Sequence, residues 1–311
     1  MLAYIARRLV QMVPVLFLIT LFVFFLVRLV PGDPALIMLG NRATEENIAR
    51  LRAHLGLDQP LLVQYGRFLG NLAHGDLGES VRRGEPVTGI IRDRMPPTLF
   101  LVGYALLLAV VISLPLATIG ALRQERWPDQ LVRVFVLVAL AMPTYWIGMM
   151  LLQTFAVKLK AFPVAGYGDT LPEHLHSLFL PALALALGVS SVLTRSLRNA
   201  LLETMAADHV RTARAKGLNQ PTVVIKHALR NAMTPVITLG ALEFGTLLSG
   251  AVLTEQIFTI PGFGKLIVDA VFNRDYAVVQ GVVLCTAIGY IGLNLLADVL
   301  YVVLNPRLRT A

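Results

Sequence analysis

Long uncharged stretches recur along the chain and alternate with polar segments. A bilayer core about 30 Å thick is crossed by roughly 20 helical residues, so each stretch has about the length of one membrane span. Five stretches contain no charged residue, and a sixth contains two glutamates. The pattern predicts an all-α, polytopic membrane protein with about six transmembrane helices, at residues 9–27, 99–122, 134–157, 178–194, 232–257 and 277–297.

Composition agrees with this pattern. Hydrophobic residues make up 56% of the 311 residues and charged residues only 15%, whereas soluble domains are roughly half apolar. The excess apolar surface needs lipid as its solvent. The single cysteine, Cys285, excludes an intrachain disulfide and a multi-cysteine metal site. No Ser/His/Asp, Cys/His or His-Glu-x-x-His arrangement is apparent from the spacing, so we predict no catalytic residues and no enzyme activity for this chain.

The distribution of basic residues predicts the orientation in the membrane. The net charge is +8, and short cytoplasmic loops of membrane proteins collect Lys and Arg. With the N-terminus inside, the inner segments hold 14 Lys and Arg residues and the short outer loops hold four. We therefore predict that both termini are cytoplasmic. We predict no nucleic-acid partner, because proteins that read bases carry their charge on a soluble, aromatic-bearing surface.

The predicted spans divide the chain into four parts. These are an N-terminal transmembrane helix at 1–30, an outer (periplasmic-side) segment at 31–96, a transmembrane core at 97–305 and a cytoplasmic tail at 306–311. The outer segment has helical signals of its own: Thr44 can cap a helix that Gly56 ends, and a second amphipathic stretch follows Pro60. We expect these helices to lie against the outer membrane surface or the helix bundle.

The inner loop 195–231 is 37 residues long, whereas most inner connections are short. We predict two helices in it, at 203–216 and 221–231, with Gly217 ending the first in the left-handed conformation. Arg211 and Arg214 are helical neighbours at spacing i, i+3 and offer positive charge to an acidic partner. The spacing alone leaves two interpretations open, a docking site for another protein and a solvated basic loop.

The predicted span 232–257 carries two stripes of distinct chemistry. With about 100° between successive residues, one stripe consists of Glu243, Thr246, Gly250 and Thr254. The opposite stripe consists of residues with small side chains, Ala241, Gly245 and Ser249. Small side chains allow a neighbouring helix to approach closely. We predict that the Glu243 stripe borders a translocation path. The alternative is that Glu243 makes a structural hydrogen bond between helices.

Two local patterns have the residue types of ligand sites without the spacing that such sites need. The run Glu173-His174-Leu175-His176 contains metal-ligating side chains, but two histidines and a glutamate in a loop are more often solvated. The run Gly262-Phe263-Gly264-Lys265-Leu266 lacks both the spacing and the hydroxyl of a phosphate-binding loop. We therefore predict no metal site and no nucleotide site in this chain.

Two runs of the inner loop carry a family resemblance. They are Arg211-Thr212-Ala213-Arg214-Ala215-Lys216-Gly217 and His227-Ala228-Leu229-Arg230-Asn231. They resemble the cytoplasmic loop of binding-protein-dependent ABC importer permeases, in which Glu-Ala-Ala precedes a glycine at the same spacing. Arg211 stands where that glutamate is usual, and this form is similar to the dipeptide/oligopeptide/nickel branch of the family.

Further blocks extend the resemblance over nearly the whole chain. They include Val30-Pro31-Gly32-Asp33-Pro34, Gly75-Asp76-Leu77-Gly78-Glu79-Ser80, Ala141-Met142-Pro143, Pro261-Gly262-Phe263-Gly264 and Arg274-Asp275-Tyr276. The long outer segment after the first helix resembles that of the B-type permease subunit in this branch.

The resemblance implies a type I ABC importer permease fold and a function. The chain would be the bacterial inner-membrane permease subunit of an ATP-driven, binding-protein-dependent importer of di- or oligopeptides or related small solutes. Its expected partners are a second permease subunit, a paralogue, together with two ABC ATPase subunits and an outer solute-binding protein. ATP and magnesium would bind to the ATPase subunits, and this chain would bind no cofactor.

The same resemblance implies roles for residues of the inner loop. Coupling-helix contact with the ATPase is expected of Arg211, Thr212, Ala213, Arg214, Ala215, Lys216 and Gly217. Support of the coupling loop is expected of His227, Arg230 and Asn231. The alternatives to this function are an ion-gradient-driven secondary transporter and a non-catalytic membrane scaffold. Dependence of uptake on ATP would separate the first alternative from an ATP-driven importer.

Overall fold

The structure, a computed structural model, describes residues 2–29, 36, 39 and 43–304. Over these residues the fold is built from helices and loops. The helices are α1 (Leu2–Leu29), α2 (Glu45–Leu55), α3 (Leu61–Ala73), α4 (Val87–Leu122), α5 (Trp127–Ala141), α6 (Thr144–Leu151), α7 (Leu171–Ala206), α8 (Asp208–Ala215), α9 (Arg230–Ile257), α10 (Phe263–Phe272) and α11 (Tyr276–Leu304). The predicted tail 306–311 and the motif at 30–34 lie outside the described residues.

Four helical segments are long and apolar enough to cross a membrane. They are Val87–Leu122, Leu171–Ala206, Val236–Ile257 and Tyr276–Leu295. A shorter apolar helix, Val10–Phe25, lies within α1. The prediction of an all-α, polytopic membrane protein is therefore confirmed.

Two of these helices extend well beyond the predicted spans. Helix α4 begins at Val87 rather than at residue 99, and α7 continues from Leu171 to Ala206 rather than from 178 to 194. The extra turns carry charged residues, for example Arg92 and Asp93, whose side chains are exposed. A run without charge marks the part of a helix that lipid can cover, and the helix itself continues into polar surroundings.

The predicted span 134–157 is a bent pair of helices that together are long and apolar enough to cross a membrane. The segment forms two helices, α5 and α6, and the chain bends by 100° between them. Pro143 has no backbone N–H, and it disfavours helical geometry at the preceding residue; Met142 is accordingly extended, with φ −85° and ψ 126°. A π-helical turn, Leu152–Lys158, continues α6. The bend leaves an apolar cavity of about 300 Å³, and Phe135, Trp146 and Leu187 are among the residues that line it.

The chain divides into two compact units. Of the described residues, those within Met1–Pro96 and Gly262–Gly292 form the first unit, and those within Pro97–Pro261 and Leu293–Ala311 form the second. In the first unit, the start of α4 packs on α10 and α11 through a cluster of buried side chains. The cluster contains Val87, Ile90 and Ile91 of α4, Leu266 and Ala270 of α10, and Val278, Val279 and Val282 of α11. A Cβ on Gly281 would lie 2.6 Å from Cγ1 of Val87, so α11 approaches α4 more closely than any other residue at this position would allow.

Two short helices of the first unit follow their sequence signals. The Thr44 side chain accepts a hydrogen bond from the Asn47 N–H at 3.3 Å and caps α2, and Gly56 ends that helix with φ +67°. Tyr65 on α3 packs edge to face on Phe24 of α1, with ring centroids 5.1 Å apart. The Tyr65 hydroxyl also lies 2.9 Å from the Thr20 hydroxyl. Helix α3 therefore packs against α1, one of the two positions expected for the outer helices.

Helix α7 forms the centre of the second unit, in contact with α5, α6, α8 and α9. Glycines permit two close approaches in this unit. A Cβ on Gly250 of α9 would lie 3.2 Å from Cδ2 of Leu185 on α7. A Cβ on Gly148 of α6 would lie 3.4 Å from Cε2 of Phe258.

The long inner loop folds differently from the prediction at its first helix. Residues 203–206 are helical but belong to the end of α7, and α8 begins only at Asp208, so the predicted single helix 203–216 is interrupted at Ala207. Ala207 interrupts the helix with φ −71° and ψ 150°. The second predicted helix is confirmed, because a helical turn (Gln220–Thr222) and a π-helical segment (Val223–Leu229) continue into α9.

Candidate functional site

Helix α8 has one buried face, which rests on a small apolar core. Val210 and Ala213 on α8 pack with Val223 of the following π-helical segment, and all three side chains are buried. The two α8 residues are three positions apart, so they lie on the same side of the helix. This core fixes which face of α8 points outward.

The opposite face of α8 and the residues just after it are exposed and basic. The exposed residues are Arg211, Thr212, Arg214, Ala215, Lys216 and Gly217. Arg211 forms one ion pair here, with Asp208 at 3.5 Å, and both side chains are largely open to solvent. An exposed pair of this kind is weak, so Arg211 can exchange this partner for a carboxylate on another protein.

The end of α8 has a defined turn. Gly217 adopts φ +79°, as the sequence predicts, and its N–H donates to the Arg214 carbonyl at 2.9 Å. The Leu218 N–H donates to the Ala213 carbonyl at 3.4 Å. Asn219 then caps the next helical turn by accepting from the Thr222 N–H at 3.1 Å. These bonds hold the predicted contact residues in one arrangement.

Of the predicted support residues, Asn231 contacts α8 directly. The Asn231 side-chain amide donates to the His227 carbonyl at 3.0 Å and lies 3.3 Å from Nε2 of His209. Arg230 is exposed. The structure therefore brings Asn231 and His227 together and adds His209, the second residue of α8. Sequence spacing gave no signal for His209, because it is 22 residues from Asn231. The supporting role of these residues stays a prediction.

The predicted path stripe on α9 lies in mixed surroundings. Glu243 is half-buried and Thr246 is exposed. Gly250 packs against Leu185, and Thr254 is buried with its hydroxyl donating to the Gly250 carbonyl at 3.2 Å. One half of the stripe is thus open and the other half packs within the unit. That the stripe borders a path stays a prediction.

A buried carboxylate that the stripe does not include lies one residue beyond it. Glu255 is fully buried and accepts a hydrogen bond from the Thr98 hydroxyl at 2.5 Å. Thr98 is on α4, so this bond joins α4 to α9 within the second unit. The carboxylate has a defined partner, as burial of a charged group requires.

The side chains of Glu173, His174 and His176 each contact a different part of the segment before α7. Glu173 accepts from the N–H groups of Asp169, at 2.8 Å, and Thr170, at 3.3 Å, and so closes the start of α7. His174 stacks on Tyr167, with ring centroids 3.9 Å apart, and His176 lies 3.1 Å from the Ala161 carbonyl. Each of the three side chains thus has a structural contact of its own. Among the described residues, no group of three His, Cys, Asp or Glu side chains is placed to hold a metal ion.

Solved structures with the same arrangement of helices define the class. The chain superposes on a permease chain of the MetNI methionine ABC transporter in an inward-facing conformation, with a TM-score of 0.59 and 15% identity, over 70% of this chain and 96% of that one. A chain of an amino acid ABC transporter gives a TM-score of 0.52 at 14% identity, over 69% and 94% of the two chains. The fold is therefore that of an ABC importer permease.

Sequence comparison then gives the family. The family described as binding-protein-dependent transport system inner membrane component matches residues 109–310, and the N-terminal family of the same membrane components matches residues 1–102. The chain belongs to this family and is a permease subunit of a binding-protein-dependent ABC importer. This confirms the resemblance drawn from the inner loop and replaces the alternatives of a secondary transporter and a scaffold.

Curated relatives match along almost the full length. The glutathione transport system permease protein GsiC of Salmonella paratyphi A is 40% identical over 309 residues, which cover 99% of each chain. The protein of the same name from Escherichia coli K12 is 39% identical over the same length and coverage. These relatives belong to the dipeptide/oligopeptide branch that the inner-loop motif indicated.

Proposed function

We propose that this permease subunit imports small peptides and that partner ATPase subunits drive it through α8. The observation that carries the proposal is the exposed basic face of α8, held in place by the core of Val210, Ala213 and Val223. A cation-rich surface with a fixed outline suits a groove lined by acidic side chains. ATP and magnesium would bind to the partners, and this chain would supply the moving bundle.

The connections of α8 support a coupling role. Ala207 alone separates α8 from α7, and a continuous helical path leads from Gln220 into α9. A displacement of α8 therefore reaches two of the apolar helices directly. Alternating access needs a bundle with two arrangements whose balance a partner can shift. Closure of two ATPases on ATP would shift that balance by moving α8, with His227, Arg230 and Asn231 keeping the loop rigid.

A peptide-like solute is supported by the relatives. Proteins named for glutathione transport are 39–40% identical over 99% of this chain, and glutathione is a tripeptide. We propose di- or oligopeptides as the solute class, delivered by an outer solute-binding protein. The open half of the stripe on α9, Glu243 and Thr246, is the proposed border of the path, whereas Gly250 and Thr254 serve packing within this unit.

The contacts between loops support the proposed topology in the bacterial inner membrane. Two segments predicted to lie outside, 31–96 and the connection between the last two spans, meet in the first unit. There the Ser80 hydroxyl donates to Asp275 at 2.5 Å, and Arg82 donates to Asn273. Two segments predicted to lie inside meet in the second unit, through Asp129. We propose that both termini are cytoplasmic, that residues 31–96 are an outer segment, and that a second, paralogous permease and two ATPases complete the importer.

Charge reversal on α8 tests the coupling contact. We expect Arg214→Glu to lower the amount of ATPase that copurifies with the permease in mild detergent several-fold, because it replaces an exposed cation on the proposed contact face. The matched control is Lys226→Glu, which reverses an exposed charge on the neighbouring π-helical segment. The ATPase is identified by mass spectrometry and by ATP hydrolysis. Equal recovery with the two variants contradicts the docking role of α8.

The solute class is tested with the reconstituted importer. Vesicles that contain the wild-type complex, the binding protein and internal ATP are given radiolabelled glutathione, a dipeptide, or nickel. Uptake of either peptide supports the proposed class. Uptake of nickel alone contradicts it without affecting the docking role of α8.

A further inference from the structure

A charged cluster surrounds one buried carboxylate where three helices of the second unit meet. The Asp129 side chain, in the first turn of α5, is fully buried. Arg198 of α7 holds it with two bonds, from Nε to Oδ1 at 2.7 Å and from Nη2 to Oδ2 at 2.7 Å. Arg133 adds a bond from Nη2 to Oδ2 at 2.9 Å, and the Glu125 N–H donates to the same oxygen at 3.0 Å. We name the side chains of Asp129, Arg133 and Arg198, together with the backbone N–H of Glu125, the Asp129 cluster.

The cluster also reaches the end of α4. A Cβ on Gly120 would lie 3.1 Å from Cδ of Arg198 and 3.3 Å from Oδ1 of Asp129, so glycine lets α4 pass directly over the ion pair. The turn that follows contains Glu125 in the left-handed conformation, with φ +62°. One carboxylate thus joins the end of α4, the start of α5 and the inner part of α7.

The cluster is better suited to fix the orientation of α7 relative to α5 than to stabilise the fold. Desolvation of a buried ion pair offsets most of its attraction, so such a pair is weak support for stability. A guanidinium that binds both oxygens of a carboxylate instead fixes the angle between the two groups, because its donors form a rigid fork. Arg198 is only 13% exposed, whereas Arg133 is 47% exposed. The Arg198 bond is therefore the geometrically constrained part of the cluster.

The position of Arg198 relates the cluster to α8. Arg198 precedes the Ala207 break by nine residues on an uninterrupted helix, a distance of about 13 Å at 1.5 Å per residue. A movement of α8 that tilts or shifts the end of α7 must pass Arg198 before it reaches the apolar part of that helix. At Arg198 the ion pair with Asp129 joins α7 to the α4–α5 turn, and we call this ion pair the clamp.

We propose that Asp129 and Arg198 are positioning residues that transmit the movement of α8 from α7 to α4 and α5. This inference rests on the proposed docking of an ATPase on α8. With the clamp intact, α7 and the α4–α5 turn move as one body. With the clamp broken, the ATPases still dock and hydrolyse ATP, but less of the displacement reaches the helices beyond α7.

The test measures coupling rather than stability. The complete importer is purified and reconstituted with its binding protein, and the amount of radiolabelled glutathione transported per ATP hydrolysed is measured for the wild type, Asp129→Asn and Arg198→Lys. Asparagine keeps the shape of the side chain without its charge, and lysine keeps the charge without the fork. We expect the ratio to fall several-fold in both variants while the ATPases still copurify. The matched control is Glu125→Gln, whose carboxylate is exposed and whose backbone N–H still bonds Asp129.

The outcomes separate coupling from folding. An unchanged ratio in Asp129→Asn overturns the proposal, and so does a lower yield of complex that transports normally per ATP. If neither single variant assembles, the double variant Asp129→Leu with Arg198→Met replaces the ion pair by apolar groups, an exchange that often preserves stability. A normal ratio in the double variant, or failure of all three variants to assemble, contradicts a coupling role. Failure of the wild-type chain to copurify with ATPases would instead contradict the docking on α8.

Discussion

Glu243 is the residue on α9 for which a path role can be tested most directly. Its side chain is half-buried beside the exposed Thr246, and glutamine has nearly the same shape without the charge. We expect Glu243→Gln to lower peptide uptake several-fold at unchanged recovery of the ATPases, because a charge that borders a wet path contacts the solute or its water. The measurement is initial uptake into vesicles at several peptide concentrations.

A suitable control for this substitution is Glu203→Gln, which removes an exposed carboxylate near the end of α7. Normal uptake by the Glu243 variant would remove the path hypothesis and leave a structural role for its carboxylate. The sequence singled out this residue because a charge within a predicted span is rare and therefore conspicuous. It gave no such signal for Asp129, which precedes the uncharged run and resembles an ordinary charged residue of a loop. Only the fold brings its partner Arg198, 69 residues away, into contact.

Among the helical elements, α8 depends on the turn that ends it. We expect Gly217→Val to reduce copurification of the ATPases, because a β-branched residue is strained at φ +79°, at a cost of about 1–3 kcal/mol. No described atom lies within 4 Å of an added Cβ at this position, so steric contact does not contribute. Asparagine tolerates the left-handed region, so Gly217→Asn should retain most of the binding. Equal loss in both variants would show that side-chain size, rather than backbone conformation, matters at this turn.

Elements were predictable where a residue has a strong local preference. Thr44, Gly56 and Gly217 each marked a helix end that the structure contains. The break at Ala207 could not be predicted, because two consecutive alanines favour an uninterrupted helix. Pro143 was visible in the sequence, but the prediction followed the uncharged run and did not include a break there. The 100° bend shows that a run of apolar residues measures affinity for lipid and does not establish a straight helix.

At the scale of the whole molecule, the source of energy separates this family from transporters driven by ion gradients. We expect uptake by the reconstituted importer to fall to background when ATP is removed at constant membrane potential, and again when vanadate is added. Collapse of the potential at constant ATP should leave uptake nearly unchanged if, as proposed, nucleotide-driven closure of partner subunits does the work. Uptake that follows the potential and ignores ATP would contradict this expectation.

The small core beneath α8 has a consequence for an unassembled chain. Three modest side chains, Val210, Ala213 and Val223, hold the buried face of this helix, and so little apolar area only weakly opposes the conformational entropy of eight residues. Local opening of α8 should therefore require less free energy than opening of the longer helices α7 and α9, and least when no ATPase covers it. If an ATPase docks on α8 as proposed, limited proteolysis should cut the chain near α8 faster in the isolated subunit than in the assembled importer.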